Sequence, residues 1–123
     1  MANEIAITTA LTYAKNGIET VGRGQAAKLL TQAGVGGTFV PEFSVATSET
    51  TLQLGGLTTL GWCWFHNLDA TNFVSIKTAA SGTVMIKIPA ASAVLFHFGS
   101  GVTAPVAIAD TAATLVEYWI LKP

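Results

Sequence analysis

The sequence predicts an all-β fold, a β-sandwich or jelly roll of about nine or ten short antiparallel strands in one domain. Short apolar runs alternate with Gly, Pro, Asn, Ser and Thr punctuation along the 123 residues. Many of these runs alternate in polarity with a period of two, which is typical of half-buried strands. No segment supports a long helix, and a closed barrel is the second choice of architecture.

The first predicted strand begins at Ile5, and Ile7 and Leu11 continue it on the same parity up to Tyr13. Residues 1–15 therefore form the first strand or an N-terminal arm. Lys15-Asn16-Gly17 follows, and an Asn-Gly pair predicts a tight hairpin turn.

Residues 24–37 remain open between strand, helix and loop. Gln25–Gln32 contains good helix formers, but glycines bound it and a helix of about two turns is marginal without packing. A strand is therefore favoured there.

The next two predicted strands are short. Phe39, Phe43 and Val45 alternate, and Pro41 indicates an edge strand or a strand start. Thr51–Leu54 forms a second strand that ends at Gly55-Gly56.

Two aromatic or β-branched runs, Leu60–Phe65 and Phe73–Ile76, flank a cluster of turn-forming residues. Asn and Asp side chains bond nearby backbone and tolerate left-handed conformations, so this cluster predicts a β-hairpin or a β-arch. Its turn residues are Asn67, Asp69, Thr71 and Asn72. Core volume is expected from Trp62 and Trp64 or from Phe65, together with Phe73.

Four strands are predicted in the C-terminal half: Thr83–Ile88, Ala93–Phe98, Val106–Ile108 and Thr114–Leu121. The last strand is apolar on both parities, which indicates a central position in a sheet.

The composition is unusually poor in charge. Half of the residues are apolar and 11% are charged, against roughly 25% in an ordinary domain. Apolar runs are too short for a membrane-spanning helix, and the start lacks the features of a signal peptide. We expect a soluble chain whose surface is partly covered by other copies or by a larger assembly, and among oligomers a trimer is favoured.

The residue inventory argues against nucleic-acid, metal and cofactor binding. Six basic residues are scattered over a chain of net charge −1, so no cationic patch forms. Cys63 and His66 have opposite strand parity and would not share a metal with Asp69. As the single cysteine, Cys63 suits a reducing cytosol and a buried, inert role.

No catalytic motif emerges, so we predict a protein that is not an enzyme. Gly99-Ser100-Gly101 lacks the spacing of a nucleophile elbow, and the glycine-rich segments lack a phosphate-binding Lys. Trp62 and Trp64 share a parity and form a candidate stacking platform for sugars, although a core role is favoured for them.

Several of these segments resemble small virion proteins of tailed bacteriophages. The resemblance lies in Leu11–Gly17, the aromatic strand from Gly56 to Phe65, the Asn-Leu-Asp-x-Thr-Asn element at Asn67–Asn72, and the terminal strand Leu115–Leu121. Residues 24–37 depart from it.

The resemblance implies a capsid decoration or cement protein that is made in the host cytoplasm and binds the phage major capsid protein on the virion surface. The alternative is a tail, baseplate or fibre module that binds host-surface carbohydrate.

Overall fold

The computed structural model describes residues 5–13, 21–31 and 36–123. By contact density the chain divides into two compact units, Met1–Ala33 and Gly34–Pro123. The described residues form ten strands and no helix, which confirms the predicted all-β class. They accordingly contain no helical segment with the length and hydrophobicity to cross a membrane.

The first unit contains an antiparallel pair of strands, β1 (Ile5–Tyr13) and β2 (Val21–Leu30). Gln25 lies within β2, so the strand interpretation is confirmed for residues 24–30. Ile7 pairs with Lys28 and Thr9 with Gln25, so β2 carries one extra residue between these pairs. The predicted turn at Lys15-Asn16-Gly17 and residues 32–35 lie outside the described residues.

The second unit is a sandwich of two four-stranded antiparallel sheets. The first sheet, in the order β3-β10-β5-β8, is formed by β3 (Gly37–Val45), β5 (Trp62–Asn67), β8 (Ala93–His97) and β10 (Thr114–Leu121). The second, in the order β4-β9-β6-β7, is formed by β4 (Thr50–Thr51), β6 (Val74–Lys77), β7 (Val84–Ile88) and β9 (Val106–Ala109). Strand β10 is central, as its apolar character on both parities predicts.

The inward-facing residues of both sheets form one apolar core. Phe65 stacks on Tyr118 with ring centroids 5.0 Å apart, and both side chains are fully buried. Val74, Ile76 and Ile88 of the second sheet complete its centre. Alternation of side chains along each strand places these residues on the inner faces, and in the first sheet it leaves the outer face partly exposed to solvent.

Strand β3 lies at the edge of its sheet, as Pro41 predicts. Val116 pairs with Phe43 and Tyr118 with Val40, so β3 bulges at Pro41 and Glu42. A bulge accommodates a residue that cannot donate to the ladder.

One of the sequence interpretations changes, and one pair of alternatives is decided. The strand predicted at Thr51–Leu54 is only Thr50–Thr51, because the backbone of Gln53 bonds the Tyr118 hydroxyl instead of another strand. The connection through Asn67–Asn72 is a β-arch, since β5 and β6 belong to different sheets.

Candidate functional site

Strand β5 presents its tryptophans to the outside of the sandwich. Cys63, Phe65 and Asn67 are buried, whereas Trp62 and Trp64 on the opposite parity are only partly buried. The expectation that the tryptophans fill the core is therefore wrong. Phe65 fills it instead, because a strand with aromatic residues on both parities can bury only one of its faces.

An apolar row crosses the outer face of the first sheet. Trp119 of β10 pairs with Phe39 of β3 on one side and with Trp64 of β5 on the other. Trp64 in turn pairs with Leu95 of β8. Phe39 and Trp119 are each 52% exposed, and their ring centroids lie 5.5 Å apart. We call the outward-facing residues Phe39, Trp62, Trp64, Leu95, Leu115 and Trp119 the aromatic face.

One polar pair borders the aromatic face. His66 Nδ1 lies 2.8 Å from Glu117 Oε1, and the two residues are directly opposed on β5 and β10. The His66 ring is 5.6 Å from the Trp64 ring. Both polar side chains remain partly exposed, so they can hydrogen-bond a ligand that covers the neighbouring tryptophan.

A second histidine lies on the same side of the sheet, beside Trp62. The rings of His97 and Trp62 meet edge-on, with centroids 5.3 Å apart. His97 Nδ1 is 2.6 Å from the carbonyl oxygen of Phe98. Because a carbonyl only accepts hydrogen bonds, Nδ1 carries the proton and Nε2 can accept one when the ring is neutral.

The turn residues converge on the buried amide of Asn67. Its Nδ2 donates to the carbonyl oxygen of Asn72 at 2.8 Å and approaches those of Ile88 and Pro89 at 3.3 and 3.2 Å. Its Oδ1 accepts from the backbone N–H of Asp69 at 2.9 Å. One side chain thus joins the end of β5, the arch and the end of β7.

Asp69 organises the second half of the arch. Its Oδ1 accepts hydrogen bonds from the backbone N–H groups of Thr71 and Asn72, both at 2.7 Å, and from the Thr71 hydroxyl at 3.1 Å. The N–H groups of Asn72 and then Thr71 lower the pKa of the Asp69 carboxyl from 3.8 to about 2. All four predicted turn residues therefore belong to one hydrogen-bond network, and this network fixes the backbone conformation of the arch.

The residues considered for metal binding and catalysis are separated. Cys63 faces the core with Sγ 3.2 Å from the Phe96 carbonyl oxygen, whereas His66 faces outward. Burial raises the pKa of the Cys63 thiol. Within residues 5–13, 21–31 and 36–123, no three His, Cys, Asp or Glu side chains are grouped to hold a metal ion.

Ser100 and His97 are among the residues that line a groove of about 340 Å³ near the start of β5. The described residues that line the groove include no Asp or Glu. The groove thus offers no carboxylate side chain to orient a base or to act as an acid.

Comparison with known proteins finds no match among protein-family models, curated proteins or solved structures.

Sequence reasoning missed Phe39, Leu95, Leu115 and the His66–Glu117 pair as parts of one surface. One signal was available in the sequence. His66 and Glu117 are polar residues in otherwise apolar strands, which indicates that their parity faces outward. Their mutual placement depends on strand order, which periodicity alone does not give.

Proposed function

We propose that this protein is a non-enzymatic virion component of a tailed phage, a decoration or cement protein that binds major capsid subunits on the head surface. The observation that carries this proposal is the aromatic face. Exposed aromatic residues concentrated on one rigid surface are characteristic of protein interfaces, and tryptophan is enriched among the residues that dominate binding energy.

The order of the strands supports a jelly-roll interpretation of the sandwich. Strand β3 pairs with β10, β4 with β9, β5 with β8, and β6 with β7. This is the pairing expected when one long antiparallel hairpin of eight strands is rolled up. Viral capsid and lectin domains both use jelly rolls, so this support is an analogy between folds and does not select a partner.

The proposed mechanism is burial of the aromatic face against neighbouring capsid subunits. Trp119 lies between Phe39 and Trp64 on this face, on an inner strand of the sheet, and its exposed area would be removed from water on binding. A protein that binds only the assembled shell stabilises the shell by mass action. No reacting group is required, which agrees with the inward Cys63 and the structural role of Asp69 in the arch.

The partners proposed are other copies of this chain and the phage major capsid protein. The location proposed is the outer surface of the virion head, after synthesis in the host cytoplasm. Imaging virions that carry a labelled copy of the protein tests this location directly, and label on the tail would contradict it.

A binding experiment tests the role of the aromatic face. Heads that lack the protein are mixed with the wild type, with Trp119→Ser or with Val84→Ser, and are then sedimented and heated. Val84 of β7 is also 52% exposed but belongs to the other sheet, so it is the matched control. We expect the wild type and Val84→Ser to bind heads and raise their heat resistance, and Trp119→Ser to do neither. Equal binding by all three proteins would contradict the proposal.

A second candidate function is carbohydrate binding by a tail, baseplate or fibre module. It is favoured by the outward position of Trp62 and Trp64, since the apolar face of a sugar ring stacks on an aromatic ring. The nearby His66–Glu117 pair offers hydrogen bonds to sugar hydroxyls. A glycan array separates the two functions: sugar binding lost in Trp64→Ser, with no affinity for heads, would favour the second.

A further inference from the structure

Strand β1 has an unprotected edge. Its nine residues contain no charged residue and no proline, and within the described residues it hydrogen-bonds to no strand except β2. A long edge with these properties is a ready template for pairing with another chain. Ala6 and the segment 8–12 are exposed, and Leu11 is 76% exposed.

The other edge strands among the described residues are either short or carry features that prevent pairing with another chain. Strand β2 carries a bulge and includes Lys28, β3 carries a bulge at Pro41, and β7 includes Lys87. Strand β4 is two residues long and β8 is five. Charges, proline, bulges and shortness are the devices that prevent edge pairing, and β1 has none of them.

Among the described residues of the hairpin to which β1 belongs, the buried apolar side chains are those of Ile5 and Ile7. The large buried apolar cluster of the described residues is drawn from positions between Phe43 and Ile120. An isolated two-stranded sheet is marginally stable in water, whereas additional strands stabilise it. A strand added to β1 would supply this stabilisation.

The sequence of β1 is complementary to itself. When two copies run antiparallel about Ala10, Thr8 of one copy faces Thr12 of the other, and Thr9 faces Leu11. Each residue meets one of the same parity, so both faces stay continuous, and no charges are opposed. Threonine pairs across strands are among the stabilising pairs of antiparallel sheets.

We propose that β1 pairs with β1 of a second copy, which joins two hairpins into one four-stranded sheet. A two-fold axis through Ala10 relates the copies, so the same surface serves both partners. The pairing uses residues of β1, none of which belongs to the aromatic face, and therefore does not depend on the proposed function. It joins two copies, whereas the low charge of the sequence leads us to expect a trimer, so the mass of the assembly in solution distinguishes the two arrangements.

Charge substitution at the self-facing residue tests the pairing. In Ala10→Lys or Ala10→Glu, two like charges oppose each other across the two-fold axis, and each variant should associate about tenfold more weakly or worse. A mixture of the two variants opposes Lys and Glu and should restore a mass of two copies. Gln25→Lys on β2 makes the same charge change as Ala10→Lys and should leave association unchanged.

Light scattering and sedimentation velocity of the full chain provide the readout. Recovery of association in the mixture shows that each variant is folded and pairs at this position. A monomeric wild type at high concentration, a wild-type mass of three copies, undiminished association of Ala10→Lys, or no recovery in the mixture would each overturn the pairing. Head binding through the aromatic face is measured separately, so failure of one proposal is distinguishable from failure of the other.

Discussion

The hydroxyl group of Tyr118 bonds both backbone groups of Gln53, accepting from its N–H at 2.8 Å and donating to its carbonyl oxygen at 2.9 Å. The two residues are 65 positions apart in the sequence. Tyr118 thereby takes the place of a strand partner for Gln53 and ends β4 early. Burial raises the pKa of the Tyr118 hydroxyl to about 12, so it keeps its proton for donation at neutral pH.

Tyr118→Phe should destabilise the sandwich. The ring that packs against Phe65 and Phe43 is kept, but both backbone groups of Gln53 lose their partner. We expect the free energy of unfolding to fall by about 1 to 3 kcal/mol, measured by urea denaturation. Trp119→Phe, a change at the neighbouring exposed position, is the control and should have a small effect. Equal stability of Tyr118→Phe and the wild type would contradict this role.

Asn67→Ala should be among the more damaging changes in the arch. It leaves the buried carbonyl groups that face Nδ2 without this donor, and the N–H of Asp69 without its acceptor. We expect a loss of about 1 to 3 kcal/mol in the free energy of unfolding. Thr111→Ala removes an exposed hydrogen bond to Asn72 and should cost less. A larger effect for Thr111→Ala would show that Asn67 does not hold the arch.

The Asp69 carboxyl should make stability depend on pH in the acid range. Its pKa is lowered from 3.8 to about 2 in the folded protein. A lowered pKa means that the stabilisation is present at pH values above about 4 and is lost as the pH falls through about 2.

Asp69→Asn keeps an acceptor oxygen but cannot titrate, so its melting temperature should fall less steeply on acidification. Glu49, whose pKa is also lowered by the Ser81 N–H and by Lys77, is present in both proteins and cancels in the comparison. If the melting temperatures of the two proteins fell by the same amount across this pH range, Asp69 would contribute nothing to the acid sensitivity of stability.

Tryptophan fluorescence should report an exposed surface. Trp119 is half exposed and Trp62 and Trp64 are partly exposed, so iodide should quench much of the emission at protein concentrations low enough to prevent self-association. Trp119→Phe should remove the most accessible component. Blue-shifted emission that resists iodide in the dilute monomer would contradict the outward orientation of these side chains.

Cys63 should be unreactive in the folded protein. Its thiol is buried, its pKa is raised by desolvation, and the thiolate is the reactive form. A thiol-specific chromogenic reagent should therefore react slowly in buffer and rapidly in urea. Rapid reaction without denaturant would indicate that the β5 region opens readily.

Much of the sandwich was predictable because the polarity pattern of a strand lies within a few consecutive residues. Alternation predicted β1, β3, β7 and β8, and Pro41 predicted that β3 lies at an edge. The turn residues Asn67 and Asp69 were predictable for the same reason, since their side chains bond backbone groups only a few positions away.

The aromatic face was not predictable, because it depends on partners that are distant in the sequence. Both parities of β5 are apolar, so its pattern alone does not tell whether Trp64 or Phe65 faces inward. The decision comes from the register with β10, where Phe65 meets Tyr118 and Trp64 meets Trp119. The shortness of β4 likewise follows from one hydroxyl group 65 residues away.

The central position of β10 has a consequence for the time course of folding. Strands β3 and β5 do not touch in the ladder of the first sheet, and only the much later segment Thr114–Leu121 joins them. Until that segment is in place, β3 is separate from the β5–β8 pair, and Phe65 stacks on Phe96 of β8 but lacks Tyr118, the second ring on which it stacks. Contacts this distant in sequence slow folding. Stalling synthesis ahead of β10 should therefore leave a chain that is sensitive to proteases and dependent on chaperones.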